Sequence, residues 1–226
     1  DVAPSRGLGD VYKRQGPDGA GKTSVLNELY PRLQLTAKRS IVKTREPGGI
    51  PIAEKIRHVI LDPSNDRMDD RTEALLYAAA RRQHLIEKVW PALDEDKIVL
   101  CDRFVDSSLV YQGVGRKIGI EEVYQINQFA IGNIKPDATI FFDLPYEVGL
   151  ARINNGERVA DRLDLESDDF HKDVYNGYMT ICEKYAERIT KIDASKTIDE
   201  VVAQVINVIT VSYTHLRAHE TELHLV

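Results

Sequence analysis

The 226-residue sequence has two cysteines, one tryptophan, no apolar run of membrane-spanning length and no excess of positive charge. Each shortage excludes something. A bilayer crossing needs about 20 consecutive apolar residues, and no secretory leader pattern opens the chain, so a cytoplasmic protein without membrane attachment is expected. Cys101 and Cys182 have neither metal-ligand spacing nor the numbers for a disulfide framework, which suits a reducing compartment. A net charge of −6 argues against a nucleic-acid polymer as partner. What remains is an ordinary globular balance, 42% apolar and 29% charged, sufficient for one α/β domain with a real core.

One stretch organises the rest. Gly16-Pro17-Asp18-Gly19-Ala20-Gly21-Lys22-Thr23 fits the pattern G-x-x-x-x-G-K-[ST]. Its glycines let backbone N–H groups turn inward around phosphate oxygens. Lys22 places a compact cation on the outer phosphates, and Thr23 offers a hydroxyl to Mg²⁺. A helix starting near Gly21 and continuing through Ser24 adds its positive N-terminal end. Residues 16–24 are therefore the expected ATP-binding segment. A plain glycine turn before a helix is the competing reading.

Both ends read as foreign to this domain. A phosphate loop should follow a buried parallel strand rich in Val, Ile and Leu, yet residues 1–15 are polar and broken by Pro4, Gly7 and Gly9. From Val211 the tail has no clear period. The expected division is a flank over 1–15, the folded domain over 16–210 and a tail over 211–226.

Within the domain, apolar runs at residues 40–44, 98–101, 138–142 and 189–192 read as strands. Helical patterns cover 21–35, 52–61, 106–111, 121–131, 146–153, 168–188 and 199–209. A long helix, capped by Asp69 or Asp70, keeps its period until Pro91. The charge run at 66–71 reads as the solvated start of that helix, and the polar stretch 154–165 as a short, mobile lid loop. Strands alternating with helices predict an α/β fold, a doubly wound parallel sheet with ligands at the carboxyl ends of its strands. Arg45-Glu46, Asp102-Arg103 and Asp143 stand just beyond three of those ends.

Arg45, Arg57 and Arg103 suit the forked grip of a monophosphate, and Asp102 suits a metal ion. Taken singly, each arginine is more often a surface ion pair. Tyr77 and Arg81 stand four apart on the long helix and share one face.

At Thr44-Arg45-Glu46-Pro47-Gly48-Gly49, Asp102-Arg103-Phe104, Ser107-Ser108-Leu109-Val110-Tyr111-Gln112-Gly113 and the run from Arg71 to Arg82, the sequence resembles the thymidylate kinase family of the bacterial type. The likeness covers residues 16–209. It implies transfer of the γ-phosphate of ATP to dTMP, giving dTDP for dTTP synthesis, a need for Mg²⁺, and a homodimer. It implies that Tyr77 stacks on thymine, Arg81 and Gln112 bond its edge, Ser108 helps hold the base, and Tyr111 crowds the place of a ribose 2′-hydroxyl. Asp18 would contact the sugar hydroxyl or orient an acceptor-side arginine. Glu46 would pair with a substrate-side arginine or contact the metal shell. Some relatives carry a catalytic arginine where this chain has Gly19, which shifts that task to Arg158 or Arg162 in the lid. No general base is expected, because the attacking oxygen belongs to an ionised monophosphate. The rival readings are a kinase for another nucleoside monophosphate, and a non-catalytic nucleotide-binding protein should the polar N-terminal flank fail to support the phosphate loop. A nucleoside kinase is disfavoured by the Arg45/Arg103 pair.

Overall fold

Apolar runs too short for helices and separated by amphipathic segments pair most readily as parallel strands with helices on both faces. The computed structural model describes residues 11–17, 19–132, 134–155 and 161–222, with backbone alone at 11–15, 36, 154 and 211–222. Its five strands are β1 (Val11–Gln15), β2 (Ile41–Arg45), β3 (Ile98–Asp102), β4 (Ala138–Asp143) and β5 (Ile189–Asp193). They form one parallel sheet in the order β2-β3-β1-β4-β5.

Period-two alternation sends successive strand residues to opposite cores. Ile98, Leu100, Ile140 and Phe142 pack with Leu26, Leu29, Val202 and Val205, which belong to α1 (Lys22–Thr36) and the last helix. Val99, Cys101 and Phe141 face the other way, onto Leu85, Val110, Val123, Tyr178 and Ile181. Burying a side chain such as Phe142 contributes about 1.5–3 kcal/mol, and it is fully buried.

The remaining helices are α2 (Pro51–Leu61), α3 (Asp70–His84), α4 (Trp90–Asp94), α5 (Val105–Ser108), α6 (Ile120–Ile131), α7 (Tyr146–Asn154), α8 (Asp168–Lys184) and α9 (Ile198–Glu222). Asp69 caps α3, its Oδ1 accepting from the Thr72 N–H at 3.0 Å.

Three features depart from the sequence reading. Residues 11–15, expected outside the folded domain, supply the central strand, with backbone partners in β3 and β4 on its two sides. Their polar sequence hides a strand whose place is fixed by hydrogen-bonded neighbours. Pro91 does not end the long helix: a π-helical turn, Leu85–Val89, joins α3 to α4, and Pro91 sits in the first turn of α4. A second π-helical stretch, Leu109–Gly115, continues α5 and carries Tyr111 and Gln112. Finally, the backbone of α9 remains helical through Glu222, beyond the expected tail boundary.

Candidate active site

Parallel strands end together, so residues that follow them share one rim. There a cavity of about 600 Å³ is lined by Gly19 to Val25 on one side and by Arg45, Glu46, Arg57, Tyr77, Arg81, Asp102, Arg103, Ser108, Tyr111 and Gln112 on the other. The convergence expected from the sequence is thus present for those residues. Asp18 and Arg158 lie outside the described residues.

The phosphate loop leaves β1 through Gly16, whose φ of 152° suits glycine and where a Cβ would sit 2.8 Å from the Phe142 carbonyl oxygen. Gly19, at φ 74°, lies so close to α7 that a Cβ would collide with the Gly149 backbone. An arginine at that position would therefore displace α7. Lys22 is buried and donates to the Gly16 and Pro17 carbonyl oxygens at 2.9 and 2.8 Å. Gly16 and Pro17 support the loop through these contacts, and Ala20 is buried beneath it. Thr23 and Asp102, two oxygen donors of the hard type Mg²⁺ prefers, both line the cavity.

Opposite the loop the charge is positive. Arg45 ends β2 and meets Glu54 in a forked pair at 2.9 and 3.1 Å. Burial would raise the Glu54 carboxyl, but the Gly49 N–H and Arg45 outweigh it and hold it below the usual range. Arg57 donates to the Pro47 carbonyl at 3.2 Å. Burial, then the charge of Arg45, with Arg103 also contributing, holds its guanidinium below its ordinary value. The neighbouring charges of Arg45 and Arg103 thus add to burial, with Tyr77 and Glu54 acting the other way. Arg103 follows β3 at φ 67°, a left-handed conformation uncommon for a non-glycine residue, and lies over the Tyr111 ring at 4.9 Å.

Arg81 is only 2% exposed, which excludes the solvated helix face as its setting. Its Nε donates to Glu46 at 2.7 Å, and its other nitrogens reach Asn127 and, at 3.2 Å, Ser108. Glu46 is thus paired with Arg81. Behind Glu46, His84 bonds its other carboxylate oxygen through Nδ1 at 3.0 Å and the Thr44 hydroxyl through Nε2 at 2.6 Å. Since a carboxylate only accepts, the His84 Nδ1 carries the proton. Glu46, His84 and Cys101 cluster as a metal triad would, but Arg81 already balances Glu46, and a second cation there would be repelled.

Arg162 departs from expectation. It is buried and donates to the Ile60 carbonyl at 2.8 Å and to Glu73, and it does not line the cavity. Its donors are spent on structure, so it is not positioned as a lid arginine. The cavity instead includes Arg152, Asp161, Lys196, Ile198 and Val201, none singled out from the sequence. Lys196 lies three residues beyond β5, in the turn before α9, farther from its strand than Arg103 is from β3. Arg152, near the end of a helix, carries no strand-end signal.

A five-stranded parallel sheet with a phosphate loop after its central strand and arginines at the ends of β2 and β3 defines a nucleotide-binding phosphotransferase of the P-loop class. The thymidylate kinase family model matches residues 15–205, and the chain belongs to that family. It is 60% identical over 189 residues to a thymidylate kinase of Enterococcus faecalis, covering 83% of this chain and 89% of that one. It is 53% identical over 210 residues to one of Latilactobacillus sakei, covering 92% and 98%. The crystal structure of thymidylate kinase from Ehrlichia chaffeensis superposes with a TM-score of 0.71 at 29% identity, over 89% of this chain and 98% of that one. The enzyme class is nucleoside monophosphate kinase.

Proposed function

We propose that the cavity binds ATP and dTMP end to end and that its two walls perform phosphoryl transfer between them. The observation that carries this reading is the gathering of Arg45, Arg57 and Arg103 in the same cavity as Lys22. Arg45 already meets Glu54, and a monophosphate would bring the three guanidiniums a shared anion inside the cavity, which a neutral acceptor would not. A monophosphate satisfies them with bidentate bonds.

The chain's reaction is phosphorylation of dTMP by ATP. An oxygen of the dTMP phosphate attacks the γ-phosphorus, the bond to the β,γ-bridging oxygen breaks, and dTDP and ADP result. No base is needed, because the attacking oxygen is already ionised. The backbone N–H groups of residues 19–24 and the Lys22 ammonium hold the donor phosphates and offset the charge spreading in the transition state. Arg103 and Arg45 hold the acceptor phosphate in line, with Arg57 behind them. Thr23 and Asp102 would hold Mg²⁺, which would supply positive charge to offset that of the donor phosphates. Asp18 and Arg158 keep the roles the family resemblance suggests, contact with the sugar side for the first and the transferring group for the second. Arg152 is a further cation at the donor end.

For the base, Tyr77 supplies a stacking face. Arg81 donates only, so it suits thymine O4 and confronts the amino group of cytosine. Gln112 bonds the base edge at N3, Ser108 supports Arg81, and Tyr111 fills the space a ribose 2′-hydroxyl would need.

Leu75, Ile86 and Phe129 are large apolar side chains left exposed on α3, its π-helical turn and α6, which supports assignment as a homodimer. No helix among the described residues is long and apolar enough to cross a membrane. The buried thiols of Cys101 and Cys182 fit the cytoplasm.

A coupled ADP-release assay over dTMP, dUMP, dCMP and AMP tests the reading. Turnover should be greatest with dTMP. Lys22→Ala should lower turnover about 100-fold or more while dTMP affinity, measured by calorimetry, stays within about threefold. Preference for AMP or dCMP would refute the acceptor assignment.

A further inference from the structure

Glu73 lies on the first turn of α3 and is fully buried, 0% exposed. A buried carboxylate persists only when its charge and lone pairs are met. Here they are met by three side chains from two other segments. Oε1 accepts from Gln112 Nε2 at 2.8 Å and from Arg116 Nε at 3.4 Å. Oε2 accepts from Arg116 Nη2 at 3.1 Å and from Arg162 Nη2.

Each of those arginines is itself fixed. Arg162 also donates to Ile60 O at 2.8 Å, and Leu61 O accepts its backbone N–H at 3.1 Å. Arg116 also pairs with Glu166 and lies over the Phe170 ring at 4.8 Å. Burial alone would lower its guanidinium, but Glu166 and Glu73 outweigh it and hold it above its ordinary value. Glu73 is thus immobilised from three directions, and the one partner it shares with the nucleotide cavity is Gln112.

An amide side chain can present either end to a site, and the two orientations read opposite chemistry. A carboxylate can only accept, so Glu73 forces the Gln112 NH₂ toward itself. The Gln112 carbonyl oxygen is then the end left for a base. From this arrangement we infer that Glu73 is a positioning residue for base recognition: clamped by Arg116 and Arg162, it locks the Gln112 amide so that an acceptor meets the N3–H of thymine. Cytosine has no hydrogen at N3 and meets that oxygen acceptor to acceptor. The selectivity of the cavity therefore depends on a carboxylate that touches no substrate. The inference rests on the proposed contact between Gln112 and the base edge.

Four proteins test it, the wild type, Gln112→Leu, Glu73→Gln and the double variant, each assayed for KM with dTMP, dCMP and ATP. Glu73→Gln is isosteric but can donate as well as accept, so the Gln112 amide is free to turn. KM for dTMP should rise about tenfold, preference for dTMP over dCMP should narrow by a similar factor, and KM for ATP should stay within about twofold. In the Gln112→Leu background the same change should have no further effect on either quantity. Effects that multiply in the double variant would overturn the inference, as would a loss of melting temperature with unchanged discrimination. If Gln112→Leu raises KM for dTMP but Glu73→Gln does not, the inference alone fails. If Gln112→Leu is itself silent, the base-edge contact fails and the inference with it. Should Glu73→Gln not fold, Glu73→Asp keeps the charge but withdraws it by one methylene, and the same comparisons decide.

Discussion

Arg103 combines two properties that a single substitution can separate. Its backbone sits at φ 67°, a conformation glycine adopts without cost, while its guanidinium lines the acceptor side of the cavity. Arg103→Gly should therefore melt at or above the wild-type temperature while turnover on dTMP falls about 100-fold or more. A variant that loses stability in step with activity would show the residue to be structural. A second residue sets a pH limit. Burial pushes the Cys182 thiol up from 9.0 to about 12. The folded state then keeps a proton that the unfolded state releases, so stability is unaffected below about pH 9 and falls as pH rises from 9 toward 12. Cys182→Ser should flatten that part of a stability profile measured by urea unfolding, and an unchanged slope would assign it to other groups. The placements at the cavity that could be read from the sequence were those tied to strand ends or to the phosphate-loop pattern, such as Lys22, Arg45 and Arg103. Glu73 could not be read, because it follows the exposed Asp69, Asp70 and Arg71 and nothing in a charge run says which member turns inward. Arg162 was misjudged for a related reason: an arginine in a polar loop looks the same whether it faces solvent or a buried carboxylate.

Among the elements, α3 matters most to the site, since Glu73, Tyr77, Arg81 and His84 all lie on it. Its start is held by the Asp69 cap, and Asp69→Ala should cost about 1 kcal/mol in urea unfolding while leaving KM for ATP unchanged. No loss of stability would mean the exposed start of the helix frays without consequence. Strands β3 and β4 were legible because buried parallel strands are written in continuous apolar residues. β1 was not, because Val11-Tyr12-Lys13-Arg14-Gln15 lacks that composition and its position follows from pairing with strands far away in the chain. The two π-helical segments escaped notice because an inserted residue shifts the helical period by less than sequence patterns resolve. Yet the second of them brings Tyr111 and Gln112 to the cavity wall.

On the scale of the whole molecule, several large apolar side chains stay outside the cores. Phe129, on α6, is 94% exposed, and Leu75 and Ile86, on α3 and its π-helical turn, are also exposed. Phe129→Glu should shift the chain from dimer to monomer in light scattering, with no loss in melting temperature for the monomeric fold. A dimer that survives the substitution would move the interface elsewhere.

The sheet order also dictates when the enzyme comes into being. Among the described strands β1 is made first, but it lies between β3 and β4, so its second edge stays open until residues 138–143 have left the ribosome. A nascent chain halted before that point cannot yet close the loop that grips ATP. Ligand therefore plays no part in guiding the first half of synthesis, and its stabilising influence begins only once β4 has docked.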